Sequence, residues 1–285
     1  MAEVSAPASS GNVGPGFDMI GLALELRCRV SASKADRWSV EHVGKERLPA
    51  GHTDAVLVAA QAAVGEPNPM RLVVDNDVPL ARGLGSSSAA RAAGAAAALV
   101  EHHGSLDTQR VFELVSEFEG HGDNAAAAVF GGLIAVDASG NPIRLSVHPD
   151  WRIVVAIPDY ELATSKARSV LSPQVSRSVV VRNSGRLVAL VDGLRSGNVE
   201  TLRMAGGDEL HEQPRAILHE RAVELMAAAR RGGAAHAAWS GAGPSILAVV
   251  KPEHVDEVRK LMRAAMADQG EVCELGIATD GLIAH

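Results

Sequence analysis

Residues 81–94, ARGLGSSSAARAAG, place two glycines and three serines directly before an alanine-rich run. Alanine has the highest helix propensity, so the run predicts a helix, with Gly104 at its C-terminal cap. Glycine permits positive φ, and the first amides of a helix have no partner within it. A negative charge at such a helix start gains about 0.3–1 kcal/mol when exposed, and up to about 2 kcal/mol when partly buried. The segment therefore predicts either a phosphate-binding loop or an ordinary helix start capped by serine.

Two common nucleotide-binding motifs are excluded for this segment. It is not a Walker A motif, because no lysine follows the second glycine. It is not the dinucleotide fingerprint either, because Ser88 stands where that motif has its third glycine. A triphosphate also needs hydroxyls for its metal ion, and residues 86–88 offer three of them.

Composition narrows the class of partner. The chain has 285 residues and a formal net charge of −7, so bulk attraction to nucleic acid or to an anionic membrane is not expected. Cys28 and Cys273 form no CxxC pair or zinc-ligand cluster, which predicts reduced thiols. The N-terminus lacks the pattern of a signal peptide, and charges interrupt the apolar stretches, so we expect a cytoplasmic protein.

The hydrophobic pattern predicts an α+β fold in two lobes, residues 1–149 and 150–285. Alternating apolar residues predict a long strand within 17–33, preceded by a hydroxyl-rich turn at 7–18. Further strands are predicted at 38–43, 70–76, 131–137, 143–147, 151–158 and 271–279, and on both sides of a glycine turn at 239–245. Helices are predicted at 54–64, 86–103, 108–120, 175–196, 198–205, 216–231 and 253–268.

Several segments together resemble the GHMP kinase superfamily, and within it the homoserine kinases. The matching segments are PASSGNVGPGFDMIGLAL, PLARGLGSSSAA, EGHGDNAAAAVFGG, DYELATSKARSVL, DELHEQPR and WSGAGPS, which extend from residue 7 to residue 245. GLGSS alone indicates only the superfamily. The resemblance implies a two-lobed fold, with an N-terminal lobe like domain 2 of ribosomal protein S5 and a ferredoxin-like C-terminal lobe. It implies ATP-dependent phosphorylation of the side-chain hydroxyl of L-homoserine to O-phospho-L-homoserine in threonine biosynthesis, ATP and Mg²⁺ as cofactors, and a homodimer.

The same resemblance implies which residues bind the nucleotide and the metal. The phosphates would lie on the glycine loop, formed by Arg82, Gly83, Leu84, Gly85, Ser86, Ser87 and Ser88. Arg82 is either a phosphate contact or a solvated loop cation. Mg²⁺ would bind Ser87, or alternatively Ser86, together with Glu119. Glu117 lies on another side of its helix and is expected to be solvated.

For the substrate, the resemblance implies that Asp18 and Asn12 meet the amino group. Arg168 and Arg215 would hold the carboxylate, with Thr164 nearby, because two guanidinium groups suit a carboxylate. Without the resemblance, surface or interlobe ion pairs are the favoured interpretation of these arginines. His121, Asp123 and Asn124 stand where the family has its hydroxyl-side residues, although His121 could simply orient the turn.

Two features leave the mechanism and the function open. Some relatives use an aspartate base while homoserine kinases are thought to need none, so we expect Asn124 to position the hydroxyl and Asp123 to orient Asn124 or the substrate. Gly122 stands where the family has proline, and the family's adenine-side asparagine is absent. Alternative functions are a kinase for threonine, mevalonate or a sugar, and a non-catalytic binding protein of the same fold.

Overall fold

The computed structural model describes residues 1–47, 51 and 53–285, and within them the strands form two sheets. The seven strands of the first sheet are β1 Ala2–Gly11, β2 Ile20–Lys34, β3 Ser39–His42, β4 Met70–Asn76, β5 Leu133–Val136, β6 Pro142–Leu145 and β11 Ile283–Ala284. The four strands of the second sheet are β7 Arg152–Pro158, β8 His236–Trp239, β9 Ile246–Val250 and β10 Gly270–Leu275. Helices accompany both sheets, so the predicted α+β class is confirmed.

The helices largely follow the predicted ones. They are α1 Ala55–Val64, α2 Ser86–His103, α3 Thr108–Glu119, α4 Asp123–Phe130, α5 Thr164–Ser169, α6 Arg177–Ser196, α7 Val199–Arg203, α8 Glu212–Arg215, α9 Ala222–Arg231 and α10 Val255–Met266. The sequence did not predict α4, α5 and α8, because eight residues or fewer give too little periodicity. Across the described part of the chain, every helix is too short or too polar to cross a membrane.

Antiparallel pairing dominates both sheets. The first has the order β11-β1-β2-β4-β3, with β5 and β6 attached beside β2, and only the pair β3–β4 is parallel among the described strands. The second has the order β10-β7-β9-β8. Helix α2 contacts β1, β2 and α1, and all its alanines are buried. A Cβ on Gly94 would lie 2.8 Å from the Val56 carbonyl oxygen, so α2 can approach α1 closely. This packing fixes the start of α2 over the sheet.

The prediction of a hydroxyl-rich turn over 7–18 is wrong for its first half. Residues 2–11 form a strand paired along its length with β2, and Ser9 and Ser10 are completely buried within it. The strand was not predicted because its serines and alanines give no alternating hydrophobic pattern. The serines are buried because distant residues satisfy their hydroxyls: Ser9 donates to Asn124 Oδ1 at 2.9 Å. The turn begins at Asn12, where φ is +68°, and continues to Asp18 at +54°.

The last strand also differs from the prediction. β10 ends at Leu275 instead of continuing to residue 279, and the chain then returns to the first sheet. Ile277 bridges to Leu24, and β11 pairs with β1 at the sheet edge. The C-terminal residues thus contact the sheet built by the N-terminal half. The division between lobes at residues 149 and 150 stays a prediction.

Candidate active site

Fifteen of the sixteen predicted site residues line a single cavity, which loops and helix ends from both halves of the chain enclose. The cavity contains the glycine loop, Asn12, Glu119, His121, Asp123, Asn124, Thr164, Arg168 and Arg215. The sixteenth, Asp18, is bound to Arg168 at its edge. The arginines come from the second half of the chain, whereas the loop and the acidic residues come from the first. The fold therefore brings together segments that are up to two hundred residues apart.

The glycine loop leaves the start of α2 open to this cavity. Gly83 and Gly85 have φ of +74° and +66°, and Gly85 occupies the N-cap position. Among the described residues no side chain caps the helix, so the alternative of a serine-capped start is wrong. The unpaired amides and the positive end of an eighteen-residue helix face a cavity that an anion can enter.

Gly83→Ala is expected to weaken ATP binding at least about tenfold and to lower the melting temperature. A Cβ at this position would lie 2.2 Å from the Ser240 carbonyl oxygen, and φ is in the left-handed region, so the loop must move. Titration calorimetry with ATP and thermal unfolding measure the two effects. Gly104→Ala is a matched control, because its φ is +77° but nothing lies within 4 Å of the added carbon. Equal ATP affinities for the two variants would contradict the prediction.

The predicted metal ligands lie next to each other. The Ser87 hydroxyl donates to Glu119 Oε1 at 2.9 Å. Ser86, the alternative, is buried and donates to the Val78 carbonyl at 3.1 Å, so its hydroxyl has a structural partner. Glu117 is exposed, as predicted. Ser87 and Glu119 are therefore the hydroxyl and the carboxylate that this end of the cavity offers.

Arg91 is a neighbour of this pair that the sequence analysis missed. Its guanidinium group forms an ion pair with Glu119 at 2.5 Å and also contacts the Ser87 hydroxyl. The cation lies 5.7 Å from the centre of the Phe118 ring. Residues four apart share a helix face, so the position of Arg91 after Ser87 was a usable signal. The Glu119 carboxylate already attracts a cation.

Arg82 has partners of its own. Its guanidinium group donates to the carbonyl oxygens of Leu80 and Asp159, at 3.0 and 2.6 Å, and lies 3.6 Å from Glu161. These contacts connect the glycine loop to the segment after β7. The Arg82 side chain is only 18% exposed, so the alternative of a solvated loop cation is wrong. The side chain also lines the cavity, and its phosphate contact stays a prediction.

His121, Asp123 and Asn124 lie side by side at the start of α4. His121 Nδ1 and Asp123 Oδ1 are 2.6 Å apart, whereas Ser9 holds Asn124. Burial lowers the pKa of His121, but the hydrogen bond and charge of Asp123 outweigh it, so that pKa is raised. The φ of Gly122 is −101°, away from the proline value near −65°, and the bond from Ser9 fixes Asn124 without a proline.

Asp18 and Arg168 form a two-pronged ion pair. The Arg168 Nη1 and Nη2 atoms lie 3.0 and 2.6 Å from the two Asp18 carboxylate oxygens. Asn12 supports Asp18, because its Oδ1 accepts from the Asp18 amide at 2.9 Å while its Nδ2 donates to the Gly241 carbonyl. The Phe17 ring lies next to the Arg168 guanidinium group, with its centre 5.8 Å from the guanidinium carbon.

Arg215 is the most enclosed cation of the site, with an exposed fraction of 1%. Its Nε donates to the Ala167 carbonyl at 3.2 Å, and its Nη1 donates to Gly241 O at 3.1 Å and to His211 Nδ1 at 3.0 Å. Burial and the neighbouring charge of Arg168 lower the pKa of Arg215 to about 10. It stays charged at neutral pH.

Glu212 is buried next to this arginine on α8, and burial raises the pKa of its carboxyl group to about 7 from the ordinary 4.5. Between these values the folded chain binds a proton that the unfolded chain has lost, so the stability falls as the pH rises. Glu212→Gln removes the ionisation and keeps an acceptor for the Trp239 amide, which lies 2.9 Å from Oε1.

We therefore expect Glu212→Gln to increase the free energy of unfolding by about 1–3 kcal/mol more at pH 8 than at pH 5. Denaturant unfolding at the two pH values measures this difference. Glu113→Gln, at an exposed position on α3, is the control and is expected to change little. The reverse sign, with the variant gaining stability only at pH 5, would contradict a raised pKa.

Four further contributors escaped the sequence analysis: Ser9, Phe17, His211 and Gly241. Ser9 and Phe17 belong to the quoted segment at 7–18, and His211 and Gly241 belong to the segments DELHEQPR and WSGAGPS. Their positions within these segments could have indicated that they belong to the site. Their roles, however, consist of contacts with distant residues, such as the Gly241 carbonyl that accepts from both Asn12 and Arg215.

Comparison with known proteins identifies the class first. A family model described as the GHMP kinases N terminal domain matches residues 52–132, and one described as GHMP kinases C terminal matches residues 190–268. A two-sheet fold with an open glycine loop lining a cavity is consistent with that class.

The particular family follows from the curated relatives. A homoserine kinase of Desulfitobacterium hafniense is 36% identical over 279 residues, which cover 95% of this chain and 94% of that protein. A homoserine kinase of Streptococcus sanguinis is 31% identical and covers 98% of both chains. The crystal structure of homoserine kinase from Cytophaga hutchinsonii has a TM-score of 0.89 at 24% identity, covering 100% of this chain and 97% of that one. The chain belongs to the homoserine kinase family, which confirms the resemblance found in its motifs.

Proposed function

We propose that this chain transfers the terminal phosphoryl group of ATP to the side-chain hydroxyl of L-homoserine. The observation that carries the proposal is one cavity that combines an uncapped helix start, a hydroxyl–carboxylate pair and two arginines. Membership of the homoserine kinase family supports it. Phosphoryl transfer depends mainly on alignment and on neutralising charge, and these groups can supply both.

The nucleotide end is the glycine loop. The amides of residues 86–88 and the positive end of α2 would bind the phosphates, and the positive φ of Gly83 and Gly85 shapes the loop that presents these amides. Arg82, at the edge of the loop, is available as an additional cation. This chain's residues would hold the terminal phosphate still while its negative charge redistributes.

The residues present fit a bound Mg²⁺. Magnesium prefers oxygen ligands and keeps several waters, so the Ser87 hydroxyl and the Glu119 carboxylate suffice, provided that Arg91 releases Glu119. Asp18, His121 and Asp123 also have possible ligand atoms within 4.8 Å of one another, but Arg168 already neutralises Asp18. When bound, the ion would neutralise the charge on the β- and γ-phosphate oxygens.

The substrate end is the arginine pair. Arg215 and Arg168 would bind the carboxylate, Asp18 would accept from the ammonium group, and Asn12 and Thr164 would close this end of the cavity. Held there, the hydroxyl oxygen would point towards the loop and attack the terminal phosphorus. The bond from that phosphorus to the bridging oxygen of ADP breaks as the new phosphorus–oxygen bond forms, and the hydroxyl proton leaves to a phosphate oxygen or to water.

Asn124 would position that hydroxyl, because Ser9 fixes its amide at the cavity wall. Asp123→Asn is then expected to lower kcat less than about 100-fold, since asparagine keeps an acceptor for His121 Nδ1. Steady-state kinetics at saturating homoserine measure it, with His102→Asn, on the far end of α2, as the control. A loss of more than about four orders of magnitude, with homoserine binding intact, would make Asp123 the general base.

A substrate panel separates the proposal from its alternatives. ADP release is followed with ATP–Mg²⁺ and homoserine, threonine, serine, mevalonate or galactose. Turnover with homoserine alone supports the proposal, and turnover with another alcohol replaces it. Thermal stabilisation by ATP without turnover would indicate a non-catalytic binding protein.

We also propose a cytoplasmic homodimer. Both cysteines are free thiols, and Val181 and Val188 on α6 are 71% and 69% exposed, seven residues apart on one helix face. A second copy covering this face would bury them. Sedimentation velocity of the purified chain measures the oligomeric state.

A further inference from the structure

Three consecutive backbone carbonyls of the substrate loop are held by side chains from the second half of the chain. Val13 O lies 3.1 Å from His236 Nε2, Gly14 O lies 2.8 Å from His211 Nε2, and Pro15 O accepts from Asn183 Nδ2 at 3.0 Å. The loop runs from Asn12 to Asp18, both of which belong to the substrate end. His211 and His236 thus each bind a carbonyl of the loop, but only His211 also binds Arg215.

The partners of His211 determine its protonation. A carbonyl oxygen can only accept, so Nε2 must carry a hydrogen in its bond to Gly14. A guanidinium group can only donate, so Nδ1 must be bare in its bond to Arg215. The ring is therefore the neutral tautomer with its proton on Nε2. Its complete burial and its stacking on Phe17, at 5.2 Å between ring centres, are consistent with an uncharged ring.

This tautomer restricts Arg215 to one orientation. Nη1 is bound by His211 and by the Gly241 carbonyl, and Nε is bound by the Ala167 carbonyl. Within the described chain Nη2 has no hydrogen-bond partner, and Arg215 lines the cavity, so its free donor is the one left for a ligand. Arg168 differs, because both its terminal nitrogens are already bound to Asp18.

We propose that His211 is a positioning residue that couples the substrate loop to Arg215 and aims the free Nη2 donor at the carboxylate of the bound amino acid. The inference rests on the proposed role of Arg215 in carboxylate binding. It assigns to His211 an effect on homoserine binding that passes through Arg215. The remaining charges near the ring are Asp208, whose Oδ1 lies 3.6 Å from Nε2, and Asp18. Glu212 follows His211 in the sequence as the first residue of α8.

Two substitutions test the two hydrogen bonds of the His211 ring separately. In His211→Asn, the amide oxygen is attached at Cγ like Nδ1 and can still accept from Arg215, while the contact with Gly14 is lost. In His211→Gln, the longer amide can reach Gly14 but offers no acceptor at the Nδ1 position. His236→Gln is the matched control, because His236 is buried, contacts the adjacent carbonyl and has an Nδ1 without a partner in the described residues.

We expect His211→Gln to raise the KM for homoserine about 10- to 100-fold with a much smaller change in kcat. His211→Asn should raise that KM by a smaller factor, because only the loop contact is lost, and His236→Gln should stay within about threefold of the parent. The KM for ATP is expected to stay constant in all three. Inhibition by 4-hydroxybutyrate, which has the carboxylate, should weaken in His211→Gln, and inhibition by 3-aminopropanol, which lacks it, should not. Equal effects of the two His211 variants that follow their melting temperatures would overturn the inference.

Two measurements keep the outcomes distinct. Nitrogen NMR of the parent protein is expected to give the Nε2-protonated neutral ring for His211, and a doubly protonated or Nδ1-protonated ring would overturn the inference without any variant. Arg215→Gln tests the role on which it rests. If Arg215→Gln leaves the homoserine KM unchanged, the proposed carboxylate site fails. If it raises that KM while His211→Gln does not, only the positioning role fails.

Discussion

Glu119→Gln is expected to lower kcat about 10²- to 10⁴-fold while the protein stays folded. Glutamine keeps the size of the side chain and an acceptor for the Ser87 hydroxyl, which donates to Oε1 at 2.9 Å. It removes the negative charge that would hold a divalent ion at the phosphates, and such an ion stabilises the transition state by several kcal/mol. Steady-state kinetics with ATP–Mg²⁺ measure the loss.

Binding of Mn²⁺ in the presence of ADP, followed by electron paramagnetic resonance, gives a second readout that is independent of turnover. Glu119→Gln is expected to weaken it clearly. Glu117→Gln is the matched control, two residues earlier on α3 and exposed, and is expected to behave like the parent in both assays. A kcat within about threefold of the parent for Glu119→Gln would remove the carboxylate from the proposed metal site.

The elements that the sequence predicted are those whose signals are local. Helix α2 follows from its alanines, and the glycine loop follows from residues that need positive φ, as Gly83 and Gly85 do. Strand β1 has no such signal, because its alanines and serines gain their meaning only from neighbours, such as Asn124 for Ser9. The return of β11 to β1 joins opposite ends of the chain, which periodicity cannot predict.

The candidate site divides in the same way. Glu119, Asp18 and the two arginines were found through motif segments. The fold brings Glu119 and the arginines to one cavity, with Asp18 bound to Arg168 at its edge. The motifs could not predict which polar atoms of the site already have a hydrogen-bond or ion-pair partner within the chain. The Ser86 hydroxyl is occupied by Val78, and Arg91 is paired with Glu119. Hydrogen-bond partners depend on side chains that converge from separate elements, so they appear only in three dimensions.

Arg168→Met is expected to lower kcat/KM for homoserine about 30- to 4,000-fold with little change in the KM for ATP. Truncating one partner of a hydrogen-bonded charge pair in a binding site typically costs 2–5 kcal/mol. Methionine keeps an apolar stem but removes the guanidinium group, which binds both Asp18 oxygens and whose carbon lies 5.8 Å from the centre of the Phe17 ring. Initial rates at varied homoserine measure the loss.

Arg182→Met is the matched control for this substitution. Arg182 also binds a carboxylate with two nitrogens, at 2.8 and 2.5 Å from the Glu209 oxygens, but it lies on α6 outside the cavity lining. Its loss is expected to leave kcat/KM for homoserine within about threefold. Asp18→Asn completes a double-mutant cycle: if Arg168 and Asp18 act on the substrate as a pair, the double variant loses less than the product of the single losses. If the loss in the double variant equals the product of the two single losses, the two residues contact the substrate independently. Their ion pair would then serve only to neutralise charge when the cavity has no substrate.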